Sequence, residues 1–226
     1  MKKFLILTGA AALCAVLLFL HAFSEVKKAE TVTTGEKIAK YGKEQDALLV
    51  IDLQRDLTEK NGKMCINKEQ SDEAIENINK IIEIGHLNVI YIRHEFNSVN
   101  PVIIYLTNKA LRPGSGGSEI DPRILISGGN IFVKHMADAF SKKEFESFLV
   151  NNKINHLYIS GADAEYCVDK TLKGALNRGY KVTVIEDAVV TKNEEMRRMK
   201  LKEFSGMGVE TVSSEILLKK ILHDEI

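Results

Sequence analysis

Four reactive side chains each stand just past a short apolar run in this 226-residue chain. Asp52 follows Ala47–Ile51, His94 follows Asn88–Ile92, Lys134 follows Ile131–Val133, and Cys167 follows Leu157–Ile159 and the loop after it. If these runs are strands of one parallel sheet, the four residues gather beyond its carboxyl edge, where such sheets bind ligands. Cys167 comes after Gly161-Ala162-Asp163-Ala164-Glu165-Tyr166 and opens a predicted helix, so exposed N–H groups and the helix dipole favour its thiolate. A nearby Lys134 ammonium lowers the thiol pKa further. Asp52 can take the thiol proton and hand it to a leaving group. Backbone N–H groups of the loop can hold a developing oxyanion. A nucleophile, a base and an electrostatic clamp are the parts that acyl transfer from an amide requires. Each residue also has a purely structural reading: Cys167 as a small buried hydrophobe, Lys134 as a strand-end lysine with its head in solvent, and Asp52 as a cap for the next turn.

The elements that must position these groups alternate along the chain. The apolar runs at 47–51, 88–92, 131–133, 157–159 and 181–185 read as strands, the first apolar throughout, as in a strand buried on both faces. Ser71 can cap a helix in which Ile75, Ile78, Ile81 and Ile82 recur at helical spacing before Gly85 ends it. Cys167–Arg178 reads as a helix stopped by Gly179, followed by helices over 193–204 and 214–222 and a short strand over 208–211. Strands alternating with helices imply a parallel sheet covered on both faces.

The first 24 residues have another character. Lys2 and Lys3 precede the uncharged run Phe4–Leu20, and Ala22 and Ser24 flank a cleavage point ahead of Glu25. This is the layout of a secretory signal peptide, with an uncleaved membrane tether through residues 4–23 as its rival. Either places the folded part outside the cytoplasmic membrane, as an exported protein or one anchored to that membrane's outer face. Leu13 before Cys14 argues against lipid attachment. Residues 25–45 read as a linker, and 46–226 as the domain. The chain carries 31 basic and 31 acidic residues, and without Lys2 and Lys3 the balance turns slightly acidic. No basic block is present, so no nucleic-acid partner is expected. No nucleotide fingerprint is present either, so no cofactor is expected.

Several segments carry a family resemblance. Leu48-Leu49-Val50-Ile51-Asp52-Leu53-Gln54-Arg55-Asp56 resembles the first strand of the isochorismatase-like cysteine hydrolases. Arg112–Pro122 resembles their loop ahead of the lysine strand, and Val133-Lys134 with Ala139-Phe140 their lysine motif. Gly161–Val168, followed by Thr171, Ala175, Gly179 and Asp187-Ala188, resembles their nucleophile segment. The resemblance implies a three-layer, Rossmann-like α/β fold with a mainly parallel central sheet flanked by helices. It also implies an Asp52–Lys134–Cys167 catalytic triad, an oxyanion hole from the backbone N–H groups of Asp163 and Cys167, and a cis peptide at Ala162–Asp163. The activity it implies is hydrolysis of a small amide, carbamoyl or ureido compound through a thioester. Relatives commonly self-associate, so a homo-oligomer is compatible with it.

The departures are specific. Nicotinamidases of this family carry Asp-x-His-x-x-x-His after the second strand, where this chain has Arg93-His94-Glu95-Phe96-Asn97 and no second His nearby. No metal is therefore expected. Leu57 stands where the family often has Phe, and Asp163 where a small apolar residue is usual, so both reshape the pocket. Leu57, His94 and Tyr166 are the candidate substrate contacts, with an exposed loop imidazole as the other reading of His94. Two further functions stay open: vinyl-ether hydrolysis of an isochorismate-like substrate, which some relatives perform without the Cys, and a non-catalytic binding domain. In an oxidising compartment a Cys65–Cys167 disulfide is also conceivable.

Overall fold

The computed structural model of the chain describes residues 2–39 and 45–223. Its elements are α1 (Lys2–Ala29), β1 (Asp46–Ile51), α2 (Arg55–Thr58), α3 (Lys68–Ile84), β2 (Asn88–His94), α4 (Pro101–Leu106), β3 (Asn130–Lys134), α5 (Lys143–Asn151), β4 (His156–Gly161), α6 (Cys167–Arg178), β5 (Lys181–Val189), α7 (Glu194–Gly206), β6 (Glu210–Val212) and α8 (Ser214–His223). The six strands form one sheet in the order β3-β2-β1-β4-β5-β6, and every pairing is parallel. The order reverses between β1 and β4, so the switch point at which open α/β sheets bind ligands lies between the ends of those two strands.

The central strand shows why the sheet is buried on both sides. In β1, Ala47, Leu49 and Ile51 face a core completed by Phe145 of α5, Val168 and Leu172 of α6 and Phe204 of α7. Leu48 and Val50 face the other way, onto Ile75 and Ile78 of α3 and Leu217 of α8. A period of two in a wholly apolar strand thus feeds two helical layers. One cap differs from expectation. Asn67, not Ser71, starts α3 by accepting from the Gln70 N–H, while Ser71 lies buried in the helix and donates to the Asn67 carbonyl. An Asn held in extended conformation four residues earlier outcompetes the serine, and the helix begins a turn sooner. The sequence reading also passed over α2, α4 and α5.

Gly161 closes β4 at a register shift against β5. Its φ is 116°, and a Cβ there would lie 2.0 Å from the Ile51 carbonyl oxygen. Only glycine lets β4 approach β1 this closely where the loop to α6 departs.

The segment before the domain is attached to it. The boundary expected after Ser24 falls inside α1, and residues 40–44 of the expected linker lie outside the described residues. Thr33 donates through N–H and Oγ1 to Asp138 at 2.8 and 2.6 Å, and the buried Arg178 side chain donates to the carbonyls of Thr33 and Thr34. The Ala137 N–H donates to the Ala29 carbonyl, and Ile38 packs on the core. Further back, Asn100 at the head of α4 donates to the Leu18 carbonyl, and Ser98 donates to Glu25. Much of the rest of α1, including Leu17, Phe19, Leu20 and Phe23, is exposed. Among the described residues no helix is long and apolar enough to cross a membrane.

Candidate active site

Asp52 is the first residue past β1 and adopts φ 52°, rare for a side chain other than glycine. The turn is held by its N–H donating to the Ile92 carbonyl and its carbonyl accepting from the Gln54 N–H, both at 2.9 Å. This points the carboxylate back over the sheet edge. Lys134 ends β3 in register with His94, the last residue of β2. Its ammonium is enclosed, not solvated. It donates to Asp52 Oδ2 at 2.7 Å and Cys167 Sγ at 3.1 Å, and lies 3.2 Å from His94 Nδ1. Three N–H bonds meet three acceptors, which is the full capacity of an ammonium.

The charges follow from this enclosure. Burial pulls Lys134 down, but the Asp52 carboxylate and the Cys167 sulfur outweigh it, and the amine is held above its ordinary value. Burial pushes Asp52 up, against the pull of Lys134. Cys167 is also raised, first by burial and then by the adjacent carboxylate, with Lys134 acting against both. The expectation of a lowered thiol pKa is thereby corrected: helix dipole and lysine are present, but a sulfur enclosed beside an anion resists a second negative charge. The resting site holds a thiol between an ammonium and a carboxylate whose proton affinity is raised, so the proton has a ready acceptor. His94 is pushed well below its ordinary value, by burial first and then by Lys134 and His135. It is neutral, with Nδ1 facing the lysine donor, so the proton sits on Nε2. That nitrogen is buried without a hydrogen-bond partner among the described residues. His94 is thus a buried strand-end residue and not an exposed loop imidazole.

Asp52, His94 and Cys167 also offer three ligand atoms within 4.8 Å of one another. The Lys134 ammonium bonds to all three, so a divalent cation at that point would sit against a buried positive charge. The residues present do not fit a resident metal.

The loop from β4 to α6 supplies the backbone. Its Ala162–Asp163 peptide is cis, as the resemblance implied. The Asp163 carbonyl accepts from the N–H groups of Tyr166 and Val168, the Val190 carbonyl accepts from Ala164, and the Ile51 carbonyl accepts from Ala162. The N–H groups of Asp163 and Cys167 take no part in these bonds. Asp163 Oδ1 accepts from the Glu165 N–H at 2.8 Å. Burial raises the Asp163 pKa to about 6 from 3.8. A carboxyl whose pKa is raised by folding stabilises the fold when protonated, and that contribution is lost as pH climbs through about 4 to 6. Asp163→Asn keeps the acceptor and removes the charge, so it should raise stability at pH 7.5 by roughly 2 kcal/mol and leave it unchanged at pH 4. Urea denaturation at the two pH values checks this, and an equal effect at both would refute it.

One cavity of about 620 Å³ has Asp52, His94, Ala162, Asp163 and Cys167 in its wall. Leu57, His94 and Tyr166, the expected substrate contacts, all line it. Cys65 and Cys167 are both free thiols. The sequence reading passed over Gln54. Fully buried, it donates to the His94 and Ser118 carbonyls and accepts from the His94 N–H at 2.8 Å, tying the β2 end to the glycine-rich loop. Among Asp52, Arg55 and Asp56 a polar residue there gives no sequence signal of burial. The same loop rests on Asp56, whose carboxylate lies where a Gly117 Cβ would be, 2.1 Å away.

Residues 46–216 match the family model described as the isochorismatase domain. An isochorismatase family protein of Bacillus subtilis strain 168, YddQ, is 28% identical over 152 residues, covering 64% of this chain and 77% of that one. Among solved structures, a cysteine hydrolase from Pseudomonas syringae pv. phaseolicola 1448A superposes with a TM-score of 0.72 at 15% identity, covering 84% of this chain and 99% of that one. N-carbamoylsarcosine amidase from Thermoplasma acidophilum superposes with a TM-score of 0.64 at 24% identity, covering 75% and 96%. With the matched domain spanning the sheet and all three residues of the buried Asp52–Lys134–Cys167 cluster, this chain belongs to the isochorismatase family of hydrolases.

Proposed function

We propose that the chain hydrolyses a small amide, carbamoyl or ureido compound through a thioester on Cys167. The observation that carries this is the Lys134 ammonium in hydrogen-bond reach of both Asp52 and Cys167 in the wall of a large cavity. Asp52 accepts the thiol proton, and the sulfur forms a bond to the substrate carbonyl carbon. The oxygen takes the negative charge and is held by the Asp163 and Cys167 N–H groups. The C–N bond then breaks, and Asp52 returns the proton to the departing amine or ammonia. Water enters the vacated place and gives a proton to Asp52. The hydroxide adds to the thioester, the S–C bond breaks, Asp52 gives its proton to the departing sulfur, and the acid leaves with the thiol restored. Lys134 stays charged throughout and stabilises whichever anion is present. The likeness to an amidase of known name supports the amide over a vinyl ether, which needs no nucleophile and leaves Cys167 without a task. A panel of amides, carbamoyl and ureido compounds, scored for amine release with the matching acid, tests the proposal. Amine release from at least one class is expected; cleavage of an enol ether with no amine release from any class would contradict it.

A further inference from the structure

We infer that the substrate is the primary amide of an apolar carboxylic acid, with its acyl chain lying in a pocket that the end of α1 completes. This rests on the hydrolase reading above and adds the substrate class. A cavity of about 620 Å³ is sized for a molecule far larger than a bare amide head. The reactive groups occupy one part of it. Beyond them the wall includes Leu57, Met64, Ile66, Phe96 and Leu111, which form one apolar cluster reaching the His94 ring through Phe96, together with Ile103. Part of the wall comes from outside the matched domain: Val26 and Ala29 of α1 line the same cavity, together with the charged Glu25, Lys28 and Glu30. Bonds from Ser98 to Glu25 and from Ala137 to Ala29 fix that wall.

The order of events assigns the apolar group to the acyl side. The departing amine must leave before water can enter beside Asp52 and Cys167, so the half held by the apolar walls is the acyl half, and the smallest departing group, ammonia, exchanges with water most readily. The acyl half stays bound to Cys167 through that exchange, and burying its chain keeps it there. The C–N bond breaks with ammonia carrying the thiol's proton, and water releases the carboxylic acid from the thioester.

The test is kcat/KM of the full chain for acetamide, butyramide, hexanamide and octanamide. A rise of at least about tenfold from acetamide to hexanamide is expected, since each buried methylene adds to binding. Val26→Asp and Leu106→Asp replace exposed residues in the cavity wall, so folding is not at risk. Each should lower the value for octanamide by more than it lowers that for acetamide. A flat series with Cys167-dependent turnover of the short amides, or equal losses on long and short substrates in both variants, overturns this inference and leaves the hydrolase reading standing. Absence of Cys167-dependent turnover across the whole series overturns that reading, and this one with it.

Discussion

Cys167→Ala is expected to lower turnover of any amide substrate by about 10⁴-fold or more while leaving the fold intact, because the alanine removes the only atom that bonds to the carbonyl. The side chain is half-buried, and its sulfur meets polar groups of the site. It also packs on the edge of the core, where alanine keeps the Cβ and loses one sulfur atom, so the denaturation midpoint should move little. Cys167→Ser should be almost as inactive. Its hydroxyl is a far weaker acid than a thiol, and Asp52 is too weak a base to deprotonate it. Steady-state assays beside urea denaturation check both statements. Retained turnover in Cys167→Ala would move the chemistry to activated water and remove the thioester from the mechanism.

Lys134→Ala should cost both activity and stability. It leaves the Asp52 carboxylate buried without its partner, a loss of about 3–5 kcal/mol when one member of a buried pair is removed. Asp52, already raised by burial, also loses the ammonium that opposes that rise, so its charged form is disfavoured and it no longer serves as an ion-paired base for Cys167. Turnover should fall by at least about 10³-fold, as base and electrostatic clamp fail together. A fall in activity caused by unfolding is separable from this. The pair Asp52→Asn with Lys134→Met removes both charges, so it should recover much of the lost stability while remaining inactive. A double variant as unstable as Lys134→Ala would show that the charge pair is not the source of the instability.

What could be read from the sequence, and what could not, follows from the range of the interactions. Local pattern placed β1, because five consecutive apolar residues require burial on both faces, and it placed α6 from Cys167 to Arg178 between the loop and Gly179. With strand ends located, the convergence of Asp52 and Lys134 followed from parallel topology, since each stands at or next to a carboxyl end, and Cys167 joined them through the short loop that leaves β4 at that same edge. Signals that depend on distant partners were not legible. The thiol pKa direction was misread because the helix dipole is local and visible, whereas enclosure beside Asp52 exists only in the folded site. Gln54 carries no local signal of its role, because its partners, the His94 backbone and the Ser118 carbonyl, are distant in sequence. The stretch from Leu18 to Ile38 shows the sharpest gap. Its composition suggests a leader and a linker and says nothing of its bonds to Asn100, Ala137, Asp138 and Arg178, or of the cavity lining that residues 25–30 supply.

A covalent bond between the substrate acyl group and Cys167 separates this mechanism from direct attack by water. Rapid acid quench of the full chain during turnover, followed by peptide mass spectrometry, measures it directly. The account predicts that the peptide containing Cys167 gains the mass of the acyl group, that hydroxylamine at neutral pH removes the gain, and that Cys65 stays unmodified. Turnover with no acyl mass on Cys167 at any quench time, together with full activity in Cys167→Ala, would contradict it.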